Sequence, residues 1–208
     1  MQSNRFRNWI VTFSAIVAMT IAIPAQAVII SAVNNNSNDA GDVYNVVTGG
    51  LANGVEAFID RNHEYENLPA YLIGADYVQT ANDDKTAGPG FSVDLTTGPQ
   101  SADIYLFVDN RIGSVMSWVG LLGFVDTLDD IGIDESADGD IDQTSSVYKL
   151  SNVSAGTTIF LEQNAGRSRN MYGIAAVAIP DSAVPEPATA SLGLLAIGAI
   201  AMRRRRMN

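Results

Sequence analysis

Ala102-Asp103-Ile104-Tyr105-Leu106-Phe107-Val108-Asp109 is the stretch of sequence that decides the fold. β-Branched and aromatic residues fill this stretch and turn residues bound it, which is typical of a β-strand. The preceding segment Phe91-Ser92-Val93-Asp94-Leu95 alternates with a period of two, as a strand with one buried face does. The segment from Ile174 to Ile179 is nearly continuous apolar and predicts a central strand that is buried on both faces.

Short segments of the same kind recur along the chain between residues 28 and 183. They predict strands at 28–33, 43–47, 55–59, 71–78, 115–125, 147–150, 157–161 and 171–179. Turn clusters such as 82–84 and 88–90 separate them, and no stretch holds an apolar stripe at helical spacing over three turns. Many short strands in one domain of this length predict an all-β fold, a single antiparallel β-sandwich or jelly roll.

The N-terminal residues have the three parts of a secretory signal peptide. Arg5 and Arg7 precede an uncharged, mostly apolar stretch at 9–23, and the small-residue sequence Pro24-Ala25-Gln26-Ala27 follows. This order predicts a signal peptide helix over residues 1–27 that is cut after Ala27. The small-residue site disfavours the alternative, an uncleaved spanning helix.

The C-terminal residues also have three parts. The triplet Pro185, Glu186 and Pro187 ends the folded domain, because prolines remove backbone donors and stiffen the chain. The apolar run at 188–202 predicts a transmembrane helix. The cluster Arg203, Arg204, Arg205 and Arg206 keeps its end of that helix in the cytoplasm, so the residues before Pro185 are expected outside the inner membrane.

The region 184–206 resembles the PEP-CTERM sorting signal of exported bacterial proteins, including the literal Pro-Glu-Pro triplet. The resemblance implies that exosortase, a protease-like membrane enzyme, recognises the triplet and removes the tail; an ordinary tail anchor is the alternative. The chain then divides into a signal peptide (1–27), a β-sandwich domain (28–183) and a sorting signal (184–206). The protein would use the export machinery, be held transiently in the inner membrane, and reach the cell surface or extracellular matrix.

Charge and cysteine content narrow the function further. Residues 28–183 contain 22 Asp and Glu against six Lys and Arg, a net charge of −16. A surface with this charge repels nucleic acid and anionic lipid, so nucleic acid is excluded as a partner. The chain has no cysteine, so the exported domain must be held together by packing, hydrogen bonds or bound ions.

The sequence offers little for catalysis. His63 is the only histidine, it lies in a polar stretch, and no G-x-S-x-G motif is present. Carboxylates are plentiful, but nothing singles out the pair that a glycosidase needs. The sequence therefore predicts that the protein is not an enzyme.

The acidic segment 134–145 has the spacing of a calcium loop. Oxygen donors occupy positions 1, 3, 5 and 9 of twelve, and a glycine occupies position 6, while Ser145 replaces the usual glutamate at position 12. The predicted Ca²⁺ ligands are Asp134, Ser136, Asp138, Asp140 and Asp142. The alternative is a solvated hairpin loop.

Four segments are together similar to the galactose-binding-like, jelly-roll accessory modules of secreted polysaccharide-degrading enzymes. These segments are Gly74–Lys85, Ile104–Arg111, Trp118–Thr127 and Asn170–Gly173. The resemblance implies a carbohydrate-binding module or a structural spacer at the cell surface.

A sugar site needs an aromatic ring and a few convergent polar side chains. The candidates are Asn82, Asp83, Asp84, Lys85, Asp109, Arg111 and Trp118. Each has a structural alternative: Trp118 in the core, and ion pairs of Arg111 with Asp109 or of Lys85 with its acidic neighbours. Three functions stay open, namely a polysaccharide-binding surface protein, a matrix component without a discrete ligand, and a secreted hydrolase.

Overall fold

A computed structural model describes residues 28–36, 42–164 and 169–180. The predicted signal peptide and sorting tail, with the Pro185-Glu186-Pro187 triplet and the arginine cluster, lie outside these residues. In the part of the chain that is described, no helix is both long enough and apolar enough to cross a membrane.

Short antiparallel strands dominate the described residues. The strands are β1 (Ile30–Asn35), β2 (Asn45–Val47), β3 (Val55–Glu56), β4 (Glu64–Glu66), β5 (Asp76–Gln79), β6 (Ser92–Thr97), β7 (Ala102–Asp109), β8 (Val125–Asp134), β9 (Gln143–Val153), β10 (Thr158–Glu162) and β11 (Gly173–Ala178). The helical elements are one short helix, α1 (Ser117–Leu121), and 3₁₀ turns at Ala70–Leu72, Asn82–Thr86 and Asn110–Ile112.

The strands form two antiparallel sheets. The smaller sheet has the order β1-β6-β10, and the larger has the order β2-β5-β11-β7-β9-β8-β4-β3. The buried side chains of both sheets belong to one hydrophobic core. The prediction of an antiparallel all-β fold with almost no helix is confirmed.

Strand β11 is an interior strand of the larger sheet. It pairs with β5 on one side and β7 on the other, with Ile174 opposite both Val78 and Leu106. Its first four residues are buried, so side chains on both faces of the strand are apolar or absent and do not alternate with polar ones. This is the doubly buried central strand that the continuous apolar run predicts.

The larger sheet curls until its far edge meets β5. Phe58, just after β3, forms an isolated bridge with Thr80, and the Ile59 amide donates to the Thr80 carbonyl at 2.9 Å. Tyr65 of β4 lies in the space that the curl encloses, with its ring edge-on to Tyr77 at 6.0 Å and to Phe107 at 5.4 Å. The curl gives the sheet a second buried face.

Several regions differ from the sequence prediction. In the predicted strand at 71–78, residues 70–72 form a 3₁₀ turn and the strand begins at Asp76. The predicted strand at 115–125 is wrong, because residues 117–121 form α1 and only Val125 begins a strand. The run is apolar on all sides and contains Gly120 and Gly123, so its length and composition do not separate a strand from a short helix. Strands β4 and β8 are rich in acidic residues, which strands usually avoid, and were not predicted.

A buried carboxylate fastens the first strand to the larger sheet. Asp76 is inaccessible to solvent and accepts hydrogen bonds from the amides of Ile29 at 2.7 Å and Ile30 at 3.1 Å. Its second oxygen accepts from the Gly49 amide at 2.7 Å. Three amide donors satisfy the charge, so burial of this group is tolerated.

Candidate ligand-binding site

Asp109 and Arg111 form an ion pair at the end of β7. Asp109 caps the 3₁₀ turn that follows, and its side chain accepts from the Arg111 amide at 2.8 Å and from Arg111 Nη2 at 2.6 Å. Burial raises the pKa of Asp109, which is 2% exposed, but the hydrogen bonds from Arg111 and Asn170 outweigh it and hold this pKa below its usual value. The bonds to Asp109 also raise the pKa of Arg111.

Glu135 and Asn170 extend this pair into a network. Arg111 Nη2 also lies 3.0 Å from Glu135 Oε1, which accepts a second bond from Asn170 Nδ2 at 3.0 Å. The Asn170 amide donates to Asp109 Oδ2 at 2.8 Å. The network ties the ends of β7 and β8 to the start of β11, and it supports the ion-pair alternative for Arg111 and Asp109.

The predicted ligand residues at 82–85 hold neighbouring segments in place. Asn82 is buried and accepts from the Met171 amide at 2.9 Å, and buried Asp84 accepts from the Tyr44 hydroxyl at 2.7 Å. Asp83 is exposed and pairs with Arg61 at 2.5 Å, rather than with Lys85. Lys85 lies half-buried on the same turn. The structure thus brings these residues to the end of the sheet where Asp109 lies. Asn82, Asp83 and Asp84 hold neighbouring segments there through hydrogen bonds and an ion pair.

Trp118 does not present its ring to solvent. Its indole is 5% exposed, lies edge-on to Tyr172 at 5.5 Å, and donates to the Gln163 carbonyl at 3.1 Å. A buried ring with a satisfied N–H has no free face on which a sugar can stack. Trp118 takes the core role that the sequence left as its alternative.

His63 lies near the same network, but its ring is packed against Phe58 and is not arranged for catalysis. Its ring is edge-on to Phe58 at 5.7 Å, and its buried Nδ1 has no hydrogen-bond partner among the described residues. Burial lowers the pKa of His63; the Glu135 carboxylate raises it by less, and Arg61 lowers it further. The serine triad that the sequence disfavours gains nothing from this placement.

The acidic segment 134–145 comprises the hairpin loop 135–142 and the adjoining ends of β8 and β9. Asp134 is buried and accepts from the amides of Ser136, Ala137 and Gly139 at 2.6 to 2.9 Å. Burial opposes ionisation of Asp134, but these bonds hold its pKa below the usual value. Asp138 accepts from the Asp140 amide and Asp142 from the Glu135 amide. Among the described residues, no three acidic, histidine or cysteine side chains form a metal-binding group.

A pocket that the sequence does not signal lies beside this network. Its volume is about 220 Å³, and the residues at its polar side are Asp109, Asn110, Ser146 and Tyr148. Asn110 Oδ1 accepts from the Ser146 hydroxyl at 2.6 Å, and that hydroxyl also lies 2.9 Å from Asp130 Oδ1. Tyr148 is half-buried and lines the same pocket.

Burial raises the pKa of Tyr148, and the nearby carboxylates of Asp126 and Asp130 raise it further. The phenol therefore stays protonated at neutral pH and is able to donate. Tyr148 falls within the correctly predicted strand at 147–150, but nothing in the sequence separates it from an ordinary strand tyrosine. Only the fold places it opposite Asp126 and beside Ser146 and Asn110.

Comparisons with known proteins give information on the C-terminal tail and on the fold of the domain. The family model of the PEP-CTERM protein-sorting motif matches residues 183–206, so the chain carries this sorting motif. No curated protein is detectably similar to the chain in sequence. A solved structure, that of a beta-glucuronidase from glycoside hydrolase family 2, matches with a TM-score of 0.58 and 19% identity.

That match covers 71% of this chain and 14% of the glucuronidase chain. At this identity it shows a shared β fold and says nothing of activity. The sorting motif indicates an exported protein that exosortase recognises and directs to the cell surface.

Proposed function

We propose that the protein is a non-catalytic surface or matrix protein whose jelly-roll domain binds neutral polysaccharide after exosortase has processed the tail. The sorting motif at 183–206 is the observation that carries the cellular part of this proposal. The two-sheet fold, and its similarity to part of a glycoside hydrolase, support the binding part by analogy.

The sorting step is tested on the triplet itself. Glu186→Ala should leave the protein in the membrane at precursor length minus its signal peptide, since the triplet, and not the apolar run alone, is what exosortase recognises. Immunoblots of membrane and culture fractions measure this. Thr189→Ala, just after the triplet, is the matched control and should be processed normally. Normal processing of Glu186→Ala would show that a simple tail anchor suffices.

The pocket beside Tyr148 is the place where the described surface fits a sugar best. Sugar hydroxyls both donate and accept, and this pocket offers a phenol, a primary alcohol and an amide. The carboxylate of Asp130, which bonds to the Ser146 hydroxyl, disfavours anionic sugars. A volume of about 220 Å³ suits one residue at the end or side of a glycan.

Polysaccharide pull-down tests the pocket. Tyr148→Phe should reduce retention because it removes the hydroxyl that lines the pocket while keeping the ring. Tyr71→Phe is the matched control, because it removes a tyrosine hydroxyl that faces Asp129 outside the pocket. Equal retention by the two variants would exclude this pocket. A wild-type protein that retains no polysaccharide would leave the structural matrix role in its place.

Calcium is a further part of the proposal. The oxygen spacing from Asp134 to Asp142 supports it, and exposed Asp138 and Asp140 are the carboxylates best placed to reach an ion. Asp134 and Asp142 already accept hydrogen bonds from their own loop, so the affinity should be low.

A further inference from the structure

The described domain has two ends of different character. The acidic end comprises residues 60–63, 82–86, 109–111 and 134–142, which carry most of the ion pairs and carboxylate hydrogen bonds described above. The opposite end, the neutral end, is formed by the turns at 97–101, 121–124 and 151–157. The segments 95–102, 112–125 and 150–161 contain no charged residue.

The neutral end carries an open apolar cleft of about 400 Å³ between α1 and β10. Leu122, Leu150, Ile159 and Phe160 line it, and Phe160 is 60% exposed. Leu121, at the end of α1 beside the cleft, is 86% exposed. Aliphatic and aromatic side chains this exposed, and grouped, mark a surface that contacts something apolar.

The chain leaves the domain at this same end. The Ile179 amide donates to the Ser101 carbonyl at 2.9 Å, and the adjoining Ala102 pairs with Val153, which lines the cleft. Seven residues, 181–187, separate Pro180 from the apolar run of the sorting signal. A chain of that length reaches at most roughly 25 Å when fully extended. While the tail is in the membrane, the neutral end therefore cannot move far from the bilayer.

We infer that the apolar cleft of the neutral end, with Leu121 and Phe160 at its rim, docks on the lipid bilayer surface while the tail is uncut. This inference rests on the proposed membrane anchoring of the precursor. The tether makes docking intramolecular, so a weak contact suffices. The acidic end, which anionic lipid repels, then points away from the membrane. The uncharged segments, and the pairing of Asp103 with Lys149 beside the cleft, remove that repulsion where the lipid is approached.

The chain lacks cysteine, so single cysteines report on single positions. The full chain, incorporated by its tail into phosphatidylcholine vesicles, is labelled with an environment-sensitive fluorophore at Leu121→Cys. The matched control is Val43→Cys, an exposed aliphatic position (74%) next to Tyr44, whose hydroxyl bonds to Asp84 of the acidic end. A quencher carried by the lipid chains should quench the label at 121 severalfold more than the label at 43. Replacing Phe160 by Glu should abolish the difference.

Vesicle flotation separates failure of the docking from failure of the anchoring. If the chain floats with the vesicles and both labels are quenched equally, docking is wrong while anchoring stands. Protection of the label at 121 without lipid would assign the cleft to a second copy of the chain and overturn the inference. A chain that does not float would contradict the anchoring, and the docking with it.

Discussion

The two ends of the domain are closed by different interactions. At the acidic end, Arg111 and the carboxylates of Asp109 and Glu135 join three strand ends. At the neutral end, most contacts are backbone and hydroxyl bonds: the Gly98 amide bonds to the Ile29 carbonyl at 2.7 Å, and the Thr97 hydroxyl bonds to the Ser154 carbonyl at 2.8 Å. Asp103 is the charged exception, since it accepts from the Asn152 amide at 3.0 Å and pairs with Lys149. The charged residues of the acidic end thus have a structural role. A cluster of charged residues in this protein therefore does not by itself mark a ligand-binding site.

Removal of Arg111 should have the largest effect, because it leaves the Asp109 carboxylate buried without its charged partner. We expect Arg111→Ala to lower the free energy of unfolding by about 3 kcal/mol, part of the cost being offset by the two amides that still donate to Asp109. Urea denaturation of the purified protein measures it. Arg61→Ala, which breaks an exposed pair with Asp83, is the control and should cost less than about 1 kcal/mol.

A loss for Arg111→Ala no greater than for Arg61→Ala would mean that the acidic end is not held by its network. The comparison between the two ends would then fail. Polysaccharide retention by Arg111→Ala should match the wild type as long as the protein is folded, since the network is closed on itself.

At the neutral end, a steric clash should destabilise the fold. A Cβ at Gly98 would lie 2.0 Å from the Val28 carbonyl oxygen, a backbone atom that no rotamer change can move. We expect Gly98→Ala to destabilise the protein by about 2 kcal/mol in the same urea experiment. Gly120→Ala is the control, because a Cβ there meets nothing within 4 Å and alanine favours the helix. Equal stability of the two variants would show that the turn at 98 adjusts freely.

Acid should weaken the acidic end selectively. Asp109 and Asp134 have lowered pKa values, so near pH 4 the unfolded chain binds more protons than the folded one. Their stabilisation is present above the unfolded pKa of about 4 and is lost as pH falls through the lower folded pKa. Urea titrations between pH 7 and 3 measure this. Arg111→Ala should show a shallower loss, and an unchanged pH dependence would contradict the role of Arg111.

His63 contributes at a higher pH. Burial lowers its pKa, so the unfolded chain takes up a proton first, and stability declines slightly as pH falls through about 6.5. His63→Gln should remove this decline and leave the loss near pH 4 in place.

Calcium should have the smallest effect. Millimolar calcium should raise the melting temperature slightly, because binding to the folded state alone stabilises it by mass action, and magnesium should do less. Asp138→Asn should abolish the difference between the two ions, while Asp94→Asn, on β6 of the other sheet, should keep it. A melting curve indifferent to calcium would retire the calcium site.

The sequence predicts the strands that combine an apolar pattern with β-branched or aromatic residues. Strands β6, β7, β10 and β11 fall where they were expected. Strand β8 was missed because Asp126, Asp129 and Asp130 give it the composition of a loop; its pairing with β9 is irregular between residues 126 and 130. Local composition cannot show that a partner strand compensates for poor propensity.

The same limit applies to the candidate site. The pairing of Asp109 with Arg111 is visible in the sequence, because the residues are two apart and begin a turn. The contributions of Glu135 and Asn170 depend on strands that are distant in the chain. Tyr148 becomes a candidate only when β8 and the turn after β7 are placed around it.

The hydrogen bonds of Asp76 have a consequence for the timing of export. Ile30 lies 46 residues before Asp76, and the pairing partner of β1 is β6, which ends at Thr97. A chain delivered across the membrane from its N-terminus presents β1 well before either partner has crossed. Strand β1, which follows the predicted cleavage site after Ala27, therefore docks only after the chain up to Thr97 has crossed. The strand that emerges first must wait for a partner more than 60 residues away, at Thr97.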